Sequence, residues 1–184
     1  MHLRRSTAAN GSLRHPRIKP SLASNAKNSL VASASLVRLT RVLAAALDAE
    51  GGTAQRLLID SFQNWKRGDE YGHYLFGKDS AYAEPSVDSN PYLLRHVHLA
   101  PLSDQEQLKR WNSAWQRRSR KTSDRVLVYV ERIAANRTSY LLIYILAEPE
   151  AHAIAAMKTQ EHRELMEGFA NVAAAFLDSG EVIA

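Results

Sequence analysis

Cysteine is absent from this chain of 184 residues. Disulfides and thiolate chemistry are therefore excluded. A chain without thiols fits a reducing compartment, and a cytoplasmic location is expected. Long apolar runs are missing as well. The longest, Tyr140 to Ala147, falls far short of the ~20 residues that cross a bilayer as a helix, so no membrane partner is expected. Acidic side chains are missing from residues 1–47, which carry Arg4, Arg5, Arg14, Arg17, Lys19, Lys27, Arg38 and Arg41. The whole chain has a net charge of +5, yet the remainder holds 16 basic and 19 acidic residues. Basic character is thus concentrated at the N-terminus and in one internal loop. Local patches of that kind attract polyanions whatever the total charge.

What is present suits one globular domain with an appendage. Hydrophobic residues make up 45% of the chain and the mean hydropathy is −0.33. Residues 1–28 are Ser-, Ala-, Asn- and Arg-rich, with Pro16 and Pro20 and no sustained period. They read as a basic disordered arm, and their composition also resembles a transit peptide. Residues 29–184 are the expected domain. Ser29 to Leu39 alternates enough for an edge strand. Thr40 caps a following helix, and Gly51-Gly52-Thr53 divides residues 41–67 into two helices, or one helix preceded by a turn-like piece, with Thr53 as a candidate N-cap. Residues 68–91, with Gly68, Gly72, Gly77, Pro85 and Pro91, read as an irregular connection. Residues 93–100 form a short strand, and a short helix is expected near Gln105 to Trp115. Residues 125–133 and 139–147 are strands joined by a five-residue hairpin loop, Ala134 to Thr138. One helix then runs from Glu148-Pro149-Glu150 to about Leu177. The fold class is α+β: a small, mostly antiparallel sheet with N-terminal helices and a C-terminal helix packed on it.

The chemistry-bearing residues fall in the second half. His96 and His98 alternate on a strand and share a face. The bland alternative is two half-exposed strand histidines. A metal would need a third ligand, and His73 and His152 lack diagnostic spacing, so no metal or cofactor is expected. As catalysts, one imidazole takes a proton from a hydroxyl while a second donates to a leaving oxygen. Lys109, Arg110, Arg117, Arg118, Arg120, Lys121 and Arg125 form a basic segment that includes Trp111 and Trp115. Such a segment is a solvated face, a docking loop for a partner, or an RNA surface where arginines clamp phosphates and indoles stack bases. Arg118 and Arg120 flank Ser119 and are placed to hold one phosphate and stabilise its transition state. Asp124 either orients an imidazole or caps a turn. His152 stands at the start of the last helix. Tyr129 donates to an RNA phosphate or packs in the core.

Five segments in this order resemble the YafO family of toxins from bacterial type II toxin–antitoxin modules. They are Phe76–Tyr82, His96–Ala100, Lys121–Tyr129, Leu141–Leu146 and Glu148–His152, and the resemblance spans roughly residues 55–177. It implies a RelE/ParE-like architecture. It also implies an mRNA interferase that acts on translated mRNA with the ribosome and is held inactive by a cognate antitoxin. The expected function is a metal-independent endoribonuclease using 2′-OH attack. His96, His98, Arg118, Arg120, Asp124 and His152 are the catalytic candidates. Lys109, Arg110, Trp111, Trp115, Arg117, Lys121, Arg125 and Tyr129 are the RNA-binding candidates. The alternative is a non-enzymatic toxin or nucleic-acid-binding module that acts by docking to its target.

Overall fold

The computed structural model describes residues 36–69 and 71–182. The arm expected over 1–28, its boundary with the domain, and strand residues 29–35 lie outside them. The strands are β1 (Leu36–Leu39), β2 (Phe76–Ala81), β3 (Arg95–Leu99), β4 (Val126–Ala134) and β5 (Arg137–Leu146). The helices are α1 (Arg41–Glu50), α2 (Ala54–Arg67), α3 (Gln105–Gln116), α4 (Ala151–Ala155) and α5 (Gln160–Ser179). The five strands lie in the order β1-β5-β4-β3-β2. Only the β1–β5 pair is parallel. The fold is thus α+β with a mixed, mostly antiparallel sheet.

Helices cover both faces of the sheet, as the period of their apolar residues dictates. Leu43 and Leu47 of α1, with Leu58, Phe62 and Trp65 of α2, pack on Phe76, Val97, Leu99, Leu127, Tyr129 and Leu142. On the other face Met166, Phe169, Ala170, Ala173 and Phe176 of α5 cover Val126, Val128, Val130, Leu141 and Ile143. β5 reads as a nearly continuous apolar run because it lies inside the sheet and is covered on both sides. Thr40 caps α1, accepting from the Leu43 N–H at 3.3 Å, and its hydroxyl donates to the Ile143 carbonyl at 2.7 Å. Thr53 occupies the N-cap position of α2 but makes no side-chain cap bond.

Four local expectations are corrected. Residues 68–91 are not irregular throughout, because Phe76–Ala81 forms edge strand β2. Its sequence, FGKDSA, is too polar to read as a strand; its pairing with β3 places it. The β4–β5 loop has two residues instead of five, since Ala135 and Asn136 take positive φ of 49° and 59° and close a tight hairpin. The helix expected from 148 to 177 is two helices. Met157 at φ 49° ends the first, and Thr159 caps the second, accepting from the His162 N–H at 3.1 Å. Glu148, expected at a helix N-terminus, instead turns back to the α3 entry. Its Oε1 accepts from Leu102 N at 2.9 Å, Asp104 N at 3.2 Å, and both the amide and hydroxyl of Ser103.

Candidate functional site

An open cleft of about 490 Å³ lies at the end of the sheet where β4 begins. Lys78, His98, Gln107, Arg110, Asp124 and His152 line it, with Thr122 and Ser123 between. Four separate elements deliver these groups. β3 supplies His98. Its partner β2 supplies Lys78, whose amide donates to the Lys121 carbonyl at 2.9 Å. Gly77 makes this approach possible: a Cβ there would collide with the Lys121 carbonyl and lie 2.8 Å from Trp111 Cη2. α3 is clipped to the cleft by Gln107. Its Nε2 donates to Asp104 Oδ2 at 2.7 Å, and its Oε1 accepts from the Asp124 amide at 2.6 Å. One helical turn on, Arg110 faces the same opening. α4 brings in His152.

Both imidazoles in the cleft have one nitrogen engaged by protein. His98 Nδ1 is 2.7 Å from the Ser123 carbonyl and 3.1 Å from the Ser123 amide. Nδ1 is thus in reach of both an acceptor and a donor of Ser123; the tautomer with the proton on Nδ1, donated to the closer carbonyl, leaves Nε2 as an unprotonated nitrogen. Ser123 is itself buried, and its hydroxyl donates to the Leu99 carbonyl at 2.6 Å. His152 Nδ1 lies 2.5 Å from Asp124 Oδ1, which also accepts the His152 backbone N–H at 2.8 Å. The two rings are 5.7 Å apart between centroids. Asp124 therefore orients an imidazole, one of the two roles open to it in the sequence.

His96 stands on the same face as His98, with ring centroids 5.6 Å apart, but it does not line the cleft. Tyr82 stacks on its far side at 4.2 Å. Burial, then the neighbouring His98, pushes the His96 pKa down to about 4. Burial is also the largest cause lowering His98, against the opposing effect of its hydrogen bond with Ser123. Both rings are therefore neutral at pH 7.

The basic segment is not one surface. Arg110 reaches the cleft, but Arg118 is exposed elsewhere, paired with Asp69, and Arg120 and Arg117 lie outside the cleft. The expected phosphate clamp of Arg118 and Arg120 is therefore not at the histidines. Lys109 pairs with Glu106 at 2.7 Å in solvent. Trp111 is fully buried, donating its indole N–H to the Tyr74 carbonyl at 3.0 Å, so its faces are closed to a base. Trp115 is 41% exposed and meets Tyr74 at a ring-centroid distance of 5.1 Å in a T-shaped arrangement. Lys121 is buried under Trp111, where its ammonium bonds the His73 carbonyl. Arg125 donates to the Ala100 carbonyl at 3.2 Å. Tyr129 is fully buried on the opposite face, and its phenol donates to Asp79 Oδ2 at 2.7 Å, which takes it out of reach of RNA. Lys78, like Gln107, is a cleft residue that the sequence does not single out. Its signal, a lysine after a glycine in a polar segment, is weak until β2 is recognised as a strand. Among the described residues no group of three His, Cys, Asp or Glu is placed to hold a metal ion, and no helix is long and apolar enough to cross a membrane.

A family model described as the toxin YafO of type II toxin–antitoxin systems matches residues 63–178. The chain belongs to the YafO toxin family. The matched region includes every residue of the cleft. Membership of this family implies a cognate antitoxin as partner. Comparisons with curated proteins and with solved structures return no match.

Proposed function

We propose that this YafO-family toxin is an endoribonuclease that cleaves mRNA in the cleft between His98 and His152. One observation carries the reading. The two imidazoles lie 5.7 Å apart, each with Nδ1 held by protein, in a cleft that Lys78 and Arg110 also line. RNA brings its own nucleophile, the 2′-OH. His98, kept neutral by burial, takes the 2′-OH proton on Nε2 as the oxygen attacks the adjacent phosphorus. The bond from phosphorus to the 5′ oxygen breaks, and His152 delivers a proton to that oxygen. The products are a 2′,3′-cyclic phosphate and a 5′-hydroxyl. Lys78 and Arg110 offset the charge that builds on the non-bridging oxygens. Asp124 fixes the orientation of His152, and Trp115 offers a face for a flanking base. The setting is cytoplasmic, on mRNA engaged by the ribosome, and the antitoxin silences the enzyme by covering the cleft.

The test is a reconstituted translation reaction in which cut ends are mapped and chemically typed. Cleavage giving cyclic-phosphate ends, lost in His98→Ala and His152→Ala while both variants still bind antitoxin, supports the reading. Growth arrest by the wild type with intact mRNA overturns it in favour of a toxin that acts by docking.

A further inference from the structure

At the opposite end of β4 from the cleft is a second cationic cavity, of about 540 Å³. Arg38 of β1, Arg132 of β4 and Arg137 of β5 line it, with the hydroxyl-bearing Thr138 and Ser139 and the C-terminal end of α5. No carboxylate among the described residues lines it, and none pairs with any of the three arginines. The sequence up to Leu47 has no acid to contribute.

Part of this arrangement closes the end of α5. Arg38 Nη1 donates to the Gly180 carbonyl at 2.7 Å, and Arg132 donates to the carbonyls of Leu177 and Asp178 at 2.9 and 3.3 Å. Positive charge at a helix C-terminus is favourable there. Capping does not account for the rest. A guanidinium carries five N–H donors, so most donors of Arg38 and Arg132 stay unspent on α5. Arg137, exposed on the hairpin, touches none of these carbonyls. Three like charges around one hollow repel one another unless an anion lies between them, and guanidinium forks match phosphate oxygens two at a time.

We propose that this cavity is a second phosphodiester site, which holds the backbone of an RNA strand at a distance from the cleft. The proposal takes its ligand class from the RNA reading above. Two observations favour a strand over an acidic peptide. The cavity and the cleft lie at opposite ends of β4, with α5 packed over the strand between them, so a strand that meets both runs alongside α5. Arg132 follows Asp124 by eight residues, on the order of 25 Å at ~3.3 Å per residue. That separation is a minimum of about seven nucleotides of a stacked strand, and a somewhat longer strand passing beside α5 reaches both sites.

The experiment measures binding of a single-stranded 2′-O-methyl oligoribonucleotide, long enough to span both sites, to the full chain across a salt series. This strand lacks the nucleophilic 2′-OH and is not cut, so failure of catalysis and failure of this site are separate results. The Arg137 side chain caps no carbonyl of α5 and is exposed, so Arg137→Gln keeps the fold. It is expected to weaken binding and lower the salt slope by about 0.7 for each phosphate no longer neutralised, whereas Arg137→Lys keeps most of the slope. Amide resonances of Ser139 and Gly180 are expected to shift when the strand binds the wild type. An unchanged slope in Arg137→Gln, or resonances that do not move, overturns the proposal. So does a polyglutamate peptide that loses affinity in Arg137→Gln while RNA does not, which would assign the cavity to an acidic protein.

Discussion

Asp124 holds His152 at two points, through the backbone N–H at 2.8 Å and through ring Nδ1 at 2.5 Å. A single carboxylate oxygen thus fixes where α4 starts and which way the imidazole turns. Asp124→Asn keeps an oxygen acceptor for the backbone but removes the charge that holds the ring. Cleavage is expected to fall by about a hundredfold or more, the scale of a positioned acid or base. The melting temperature should change little. Wild-type cleavage by folded Asp124→Asn would show that His152 is not part of the chemistry.

The pairing of His96 with His98, the hairpin strands and the first two helices were legible in the sequence because each is set by a local period. What joined the site was not. Asp124 and His152 are separated by a strand pair, and nothing in their spacing states that the loop before β4 meets the first turn of α4. The split between Arg110 and Arg118 was equally hidden. A dense run of cations reads as one patch, yet Arg118 takes a positive φ of 48° just past the end of α3 and pairs with Asp69. Lys121 and Trp111 look like RNA ligands by type, and their burial follows from Gly77, whose missing side chain lets β2 close over them.

Acid is expected to weaken this fold through its histidines. An unfolded imidazole takes its proton near pH 6.5, while folded His96 resists until about 4. Above 6.5 the ring is neutral in both states and its stability contribution is intact. As the pH falls from there toward 4 the unfolded chain binds the proton first, so stability is lost across that window. His96 accounts for about 2 to 4 kcal/mol of that loss. His98 and His73, also lowered chiefly by burial, act in the same direction. Urea unfolding at pH about 7 and about 5 checks this. His96→Gln should flatten the difference without abolishing it. An equal difference in wild type and variant would mean that His96 does not titrate with unfolding.

Tyr129 is expected to matter for stability and not for RNA. Its hydroxyl accepts from Lys66 Nζ at 2.6 Å and from Arg95 Nε at 3.0 Å while donating to Asp79 at 2.7 Å. Tyr129→Phe strips the centre from this buried network and leaves charged groups under-satisfied, at a cost of about 1–3 kcal/mol. Denaturant unfolding should register that loss, whereas RNA affinity at matched folded fraction should be unchanged. A drop in affinity without a drop in stability would place the phenol at the RNA after all.

Lys78 and Arg118 separate the folded site from the one that residue types alone suggest. Lys78 lines the cleft beside His98, and its amide is locked to the Lys121 carbonyl, so the cation is delivered by a fixed strand. Arg118 is a solvent-facing partner of Asp69, and exposed pairs of that kind contribute about 0–1 kcal/mol. Lys78→Met should therefore cut the cleavage rate by about tenfold to a thousandfold, since one preorganised charge at a transition state is removed. Arg118→Gln should leave cleavage and growth arrest close to wild type. Single-turnover cleavage of the two variants, with melting temperatures to confirm folding, makes the comparison. The reverse ranking, with Arg118→Gln inactive and Lys78→Met active, would move the chemistry out of the His98–His152 cleft and onto the exposed end of α3.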